Sequence, residues 1–326
     1  MSVLLGEKEV PYINAIWLQG QGCSGCTVSF LNASHPSLID IMTGFMPQSS
    51  GVELPFHQTI AFSWGSDVVR VLEAADEGRF DPFVLILEGA IPDEEAARKS
   101  GGFWCAVSAE DGEMKSVSDW VTMLSRRAAA AVAAGTCASY GGIPHGKPNP
   151  TGAKGLLDFL TPSWKSTLGL PVVCIPGCPA HGEHLAEAAT HLVLAVRGYL
   201  PFPELDEHHR PKYIFGSTVH DRCPRAGYFG SGKYNKEFGE PYCVGMLGCK
   251  GLIAHCDTPV RGYVEGVGGC TRLGSPCIGC TEPVFPDAPM SPFLRKAPAS
   301  AYAKDTLSGI TGSLWALFKR LERRGI

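Results

Sequence analysis

No run in this chain approaches the roughly 20 consecutive apolar residues that a membrane-spanning helix needs. Neither charge sign dominates: 28 Lys and Arg stand against 32 Asp and Glu, for a formal charge of -4. That balance gives no electrostatic case for nucleic acid as the main partner. The opening, Met-Ser-Val-Leu-Leu-Gly-Glu-Lys-Glu, carries no basic, apolar, small-residue leader. No internal repeat predicts a solenoid. Complete disulfide pairing within the chain is excluded too, because its 13 cysteines are an odd number spread over 326 residues. From these absences and the unpaired thiols the expected location is cytoplasmic, with the inner face of the cell membrane as a peripheral alternative, although a protein carried out of the cytosol with a signalled partner would read the same.

What the chain has is cysteine set among turns. Its 39 glycines and 25 prolines gather around the cysteines, while a hydrophobic content of 44% suffices for a real core. Tyr12–Leu18 reads as a buried strand that runs through glycines to Cys23-Ser-Gly-Cys26 and then a helix from Thr27. Gly44–Pro55 reads as a loop, Thr59–Ser63 as a second strand and Asp67–Ala75 as a helix. Pro82–Glu88 is apolar until its acidic end, the pattern of a parallel strand covered on both faces. Ser116–Arg127 has helical periodicity. Ala128–Ala134 has helical propensity, but its ending in Gly135-Thr136-Cys137 favours a buried strand feeding a ligand loop. Pro171–Ile175 is a strand leading to Cys178, and Gly182–Arg197 an amphipathic helix.

These elements predict an α/β domain with a parallel sheet over residues 1–204. Its strand ends deliver Cys23, Cys26, Glu88, Cys137 and Cys178 to one rim, where open α/β sheets bind ligands. Residues 205–292 read as irregular chain, held by bound metal rather than by a large core. Residues 293–326 form a tail in which Leu307, Ile310, Leu314, Leu317 and Leu321 mark an amphipathic helix. That helix packs on another subunit or lies along a membrane surface.

Three donor sets follow from this layout. Cys23, Cys26, Cys137 and Cys178 offer four thiolates at strand ends. Four thiolates suit an iron–sulfur cubane, a zinc ion or, for the close pair, redox chemistry. His220, Cys223, Cys243 and Cys249 form a second set, with Arg222, Arg225 and Lys250 nearby to offset charge. Cys256, Cys270, Cys277 and Cys280 form a third. Cys105 and Cys174 read as buried structural thiols. Glu88 reads either as support for a subunit interface or hydrogen-bonding network, or as a structural carboxylate.

Gly22-Cys-Ser-Gly-Cys26, Glu88-Gly-Ala-Ile-Pro92, Gly135-Thr-Cys-Ala138, Pro148-Asn-Pro-Thr-Gly-Ala153 and Ile175-Pro-Gly-Cys-Pro179 stand in order along the first part. His220-Asp-Arg-Cys-Pro-Arg225, Leu247-Gly-Cys-Lys-Gly251 and Pro276-Cys-Ile-Gly-Cys-Thr-Glu-Pro283 follow. Together they resemble the small subunit of nickel–iron hydrogenases, over nearly the whole chain. The resemblance implies a flavodoxin-like N-terminal domain followed by an irregular iron–sulfur domain. It implies a proximal cluster on the first set, a distal cluster on the second, and a medial cluster on Cys256, Cys277 and Cys280. Cys270 stands where the family has a proline, so a four-iron medial cluster joins the usual three-iron one as an expectation. Gly25 and Gly142 occupy the positions of the two extra cysteines of oxygen-tolerant membrane-bound members, so a six-cysteine proximal cluster is not expected. Gly22 replaces an acid that is often placed on a proton route.

The implied function is electron transfer in an uptake hydrogenase. The nickel–iron centre would lie in a large partner subunit, the assembly would be a larger heteromer, and the acceptor would be a quinone or a protein. The alternatives are a cofactor-reducing hydrogenase branch, distinguished by its partners, and a zinc-stapled interaction subunit. The cluster-bearing subunit of respiratory NADH:quinone oxidoreductase shares the N-terminal fold, but it would leave the second and third donor sets unused.

Overall fold

The structure is a computed structural model, and it describes residues 12–43, 51–61, 65–108 and 114–295. The expected helix over Tyr302–Arg324 lies outside them. The described residues contain seven strands: β1 (Ile13–Gln19), β2 (Val52–His57), β3 (Phe83–Glu88), β4 (Ala106–Ser108), β5 (Met114–Ser116), β6 (Ala130–Ala134) and β7 (Val173–Ile175). Five of them form one sheet in the order β2-β1-β3-β6-β7, with every pairing parallel. With the small antiparallel pair β4–β5 set aside, this is the flavodoxin-like order 2-1-3-4-5. The order reverses between β1 and β3, and the crevice outside the strand ends at that point is where such sheets bind ligands.

The alanine-rich segment forms β6, and all five of its residues are buried. Parallel pairing with β3 and β7 fills both of its edges, and that tertiary context overrides helical propensity. The second strand departs from the sequence expectation. It is Val52–His57, beginning inside the Gly44–Pro55 region read as loop and ending before the expected Thr59–Ser63, and 58–60 form a turn after it. Pro55 masked the strand, yet β2 is the edge of the sheet, where a missing N–H is tolerated.

Leu72, Leu85, Leu87, Trp120, Val121 and Leu124 lie at the centre of the sheet's core, with no exposed surface. The helix Val117–Leu124 begins in a capping box between Ser116 and Asp119. The amphipathic helix after β7 is Gly182–Val196, capped by the His181 side chain.

The chain divides into two compact units between Tyr213 and Ile214. The second has no strand among its described residues. It is built from short helical turns, including Ala226–Gly230, Val244–Leu247, Thr258–Arg261 and Cys270–Leu273. Its apolar clusters are small: Val219 and Ala254 pack with Cys256 and Cys277, and Ile253 packs with Phe285 and Met290. No described helix in either unit is long and apolar enough to cross a membrane.

Candidate metal centres

In the first unit the site grows from the turn after β1. The helix Gly25–Leu31 has no side-chain cap of its own, because Ser24 adopts a left-handed conformation. The Glu88 carboxylate, at the end of the neighbouring strand, takes over that role. It accepts from the Cys26 N–H at 2.9 Å and the Thr27 N–H at 3.1 Å. An anion is well placed at a helix N-terminus, where unpaired N–H groups point outward. Its other oxygen accepts from Trp17 Nε1, Gln19 Nε2 and the Thr27 hydroxyl. Glu88 is buried and fully bonded, so its network function includes fixing the backbone of Cys26.

His57 extends this network. Its Nε2 lies 3.3 Å from Thr27 Oγ1, and its Nδ1 accepts from the Thr59 N–H. Burial pulls its pKa down to about 4, against a smaller opposing pull from Glu88. The sequence reading missed His57 because it lies at the end of the misplaced strand.

Cys137 follows β6 and Cys178 follows β7. The helix Gly135–Tyr140, which carries Cys137, and the loop that carries Cys178 are clamped together: Thr136 N–H donates to Gly177 O, and Gly177 N–H donates to Thr136 Oγ1. Ala180 N–H donates to Cys26 Sγ. The sulfurs sense one another. Burial pushes the Cys26 thiol far up, and the Glu88, Cys137 and Cys178 charges add to the effect. Burial likewise takes Cys137 up to about 11, with Cys178 and Cys23 contributing. Cys26, Cys137 and Cys178, all pushed up by burial and by one another or Cys23, ionise together readily only when a cationic metal core offsets them.

The local backbone leaves room at this centre. A Cβ on Gly135 would stand 2.4 Å from Cys26 Sγ, and one on Gly142 would stand 2.9 Å from Cys137 Sγ. Both glycines have positive φ, 88° and 49°, which disfavours a side chain further. The Gly142 position therefore excludes an added cysteine in this backbone.

In the second unit, His220, Cys223, Cys243 and Cys249 line one cavity, together with Phe229 and Thr271. The imidazole meets the Phe229 ring edge-on, with centroids 4.6 Å apart. Burial lowers the His220 pKa, so its ring favours the neutral, ligating form.

Five cysteines of this unit share one local device. The N–H two residues ahead points back at the sulfur: Arg225 to Cys223, Gly245 to Cys243, Gly251 to Cys249, Thr258 to Cys256 and Gly279 to Cys277. Donors at 3.3–3.5 Å suit thiolates, whose negative charge they stabilise.

Cys256, Cys270, Cys277 and Cys280 also come together. The Cys270 sulfur raises the pKa of both Cys256 and Cys277, although burial is the larger cause in each. Cys280 acts on Cys277 in the same way. Burial takes Cys256 to about 12. Cys105 is half-buried beside Gln19 O, and Cys174 is fully buried in β7.

Of the basic residues flanking these sets, Arg222 reaches side chains, the Ser217 hydroxyl at 3.3 Å and the Asp257 carboxylate at 3.9 Å, while Arg225 and Lys250 are engaged with the backbone. Arg225 Nη1 donates to Glu240 O and Tyr242 O, which holds the approach to Cys243. Lys250 is completely buried. Its ammonium donates to the carbonyls of Gly248, Pro292 and Arg295. Burial lowers its pKa, while the Cys249 and Cys277 sulfurs act in the opposite direction.

Residues 215–294 match the family of the C-terminal region of the NiFe/NiFeSe hydrogenase small subunit. Residues 23–192 match the family described as NADH ubiquinone oxidoreductase, 20 Kd subunit. The chain is 36% identical over 298 residues to the periplasmic [NiFeSe] hydrogenase small subunit of Desulfomicrobium baculatum, covering 88% of each chain. It is 34% identical to the periplasmic [NiFe] hydrogenase small subunit 1 of Nitratidesulfovibrio vulgaris, covering 86% of this chain and 81% of that one. Among solved structures, the actinobacterial-type NiFe-hydrogenase from Ralstonia eutropha H16 superposes with a TM-score of 0.86 at 38% identity. The match covers 97% of this chain and 91% of that one.

These relatives correct one expectation. Cytoplasmic placement, free or at the inner membrane face, is overturned by relatives that are named periplasmic. The expectation rested on how the sequence opens and closes, whereas thiolate ligation of a metal looks the same on either side of a membrane. Likeness to hydrogenase small subunits implies iron–sulfur ligation and pairing with a large subunit. The chain belongs to the small-subunit family of nickel–iron hydrogenases, heteromeric enzymes whose nickel–iron centre sits in the partner subunit.

Proposed function

We propose that this chain carries electrons away from H2 oxidation through three iron–sulfur sites. The proximal site uses Cys23, Cys26, Cys137 and Cys178; the medial, Cys256, Cys270, Cys277 and Cys280; the distal, His220, Cys223, Cys243 and Cys249. By donor count the proximal and distal sites suit four-iron clusters, and the medial a three-iron or four-iron one. When bound, the clusters supply one-electron carriers between the partner's nickel–iron centre and a quinone or protein acceptor.

The protein's own part is to position and insulate. Glu88 fixes the backbone at Cys26. The bonds between Thr136 and Gly177 hold Cys137 and Cys178 at one strand-end rim. Lys250 places a buried positive charge that acts on the Cys249 and Cys277 sulfurs alike, which favours the reduced, more negative state of both neighbouring sites.

The observation that carries this reading is the cavity lined jointly by His220, Cys223, Cys243 and Cys249, with backbone N–H groups aimed at all three sulfurs. Metal analysis of the anaerobically purified complex tests it. Iron and acid-labile sulfide should be bound by this chain, with nickel confined to its partner. Near-zero iron and sulfide with stoichiometric zinc would overturn the reading and leave a zinc-stapled scaffold.

A further inference from the structure

Thr271 belongs to none of the donor sets, yet it touches two of them. It follows Cys270 directly, in the short helical turn Cys270–Leu273. Its side chain is almost wholly buried and lines the cavity of His220, Cys223, Cys243 and Cys249. Its Oγ1 lies 3.2 Å from Cys223 Sγ. Once that sulfur is a thiolate it can only accept, so the Thr271 hydroxyl must be the donor. Thr258 repeats the arrangement in the other set, with Oγ1 3.0 Å from Cys256 Sγ.

A second contact crosses between the same two sets. The Cys277 N–H donates to Cys249 Sγ at 3.3 Å, and the Lys250 N–H returns a bond to Cys277 O at 2.7 Å. Cys223 and Cys249 thus each receive a hydrogen bond from a residue of, or next to, the medial set. The Cys277 link is backbone and resists substitution. The Thr271 link is a side chain and can be removed on its own.

We propose that Thr271 is a positioning residue for the distal site, whose hydroxyl holds the Cys223 thiolate, raises the site's reduction potential and ties it to the Cys270 side of the medial site. A hydrogen bond to a ligand sulfur stabilises the extra negative charge of the reduced cluster, which moves its potential upward. The proposal rests on the distal ligand set given above.

The test is an EPR-monitored redox titration of the complete heteromeric complex carrying Thr271→Val or Thr271→Ser, with iron counted in each. Val keeps the shape and removes the hydroxyl; Ser keeps the hydroxyl. The Val variant should shift the distal midpoint to more negative potential, with iron content and the medial midpoint unchanged. The Ser variant should titrate like the wild type. An unshifted Val variant with full iron would overturn the proposal. So would a Ser variant that shifts as far as Val, since volume and not the hydroxyl would then matter. If Val loses the distal iron, retention of iron and potential in Ser supports the proposal, and loss in Ser defeats it. A Cys243→Ser control separates the two levels: a distal signal unaffected by it refutes the ligand set itself rather than the role of Thr271.

Discussion

The two units of this chain are held together by different means. The first is a five-stranded parallel sheet whose core side chains, Trp120, Leu72 and Leu85 among them, have no exposed surface. Its four sulfur donors lie beyond the strand ends, Cys23 and Cys178 in loops and Cys26 and Cys137 in the first turns of helices, and none belongs to that core cluster. In the second unit the donors are part of the packing: Cys256 and Cys277 are members of one small cluster, and Cys249 packs against it. A sheet can carry a metal site as an attachment. A short, turn-rich segment with little apolar surface to bury needs the site as its centre.

That contrast can be broken most severely by withholding iron. The second unit should then lose structure worth on the order of 10 kcal/mol of metal-linked folding energy, while β1, β3 and β6 persist. Hydrogen exchange on the complex, with and without chelation, reads this out. Equal loss of protection in both units would abolish the distinction.

The reverse experiment empties the core of the first unit. Trp120→Ala should cost about 3–5 kcal/mol in denaturant unfolding of the sheet. The EPR signals of the medial and distal sites should be unchanged, and a change in them would show that the second unit depends on the first unit's core.

A smaller effect comes from pH. The His57 pKa drops from 6.5 to about 4 on folding. Between those values the unfolded chain binds more protons than the folded one, so stability rises with pH. It is undiminished above about 6.5 and falls as pH drops toward 4, by about 2–3 kcal/mol. His57→Asn should flatten this dependence in the sheet unit's unfolding free energy. An unaltered slope would remove His57 as its cause.

How much of this was legible in the sequence follows the same division. Strands β1, β3, β6 and β7 could be read because each is a buried apolar run ending at a chemical landmark: Cys23, Glu88, Cys137 or Cys178. The edge strand β2 could not, since Pro55 and the Gln48-Ser-Ser-Gly51 stretch before it imitate a loop and only pairing with β1 reveals it. Glu88 was visible as a carboxylate at a strand end, but its cap on Cys26 and Thr27 spans about sixty positions in sequence, and no local pattern encodes that. The spacing of the cysteines brought forward all three donor groups. Thr258 and Thr271, which support those sulfurs, carry no signal beyond standing near a cysteine. Arg225 and Lys250 looked like charge compensation from spacing, and the structure shows both spending their donors on backbone carbonyls. Compartment was misread because it is not a property of the metal-binding fold.

Three separate cluster sites are proposed for this chain, one on the sheet and two in the turn-rich unit. The most direct measurement is an EPR redox titration of the anaerobic, H2-activated complex. Three independently titrating iron–sulfur centres are predicted, with Cys178→Ser removing one and Cys243→Ser removing a different one. A single centre, or one signal lost in both variants, would contradict the account.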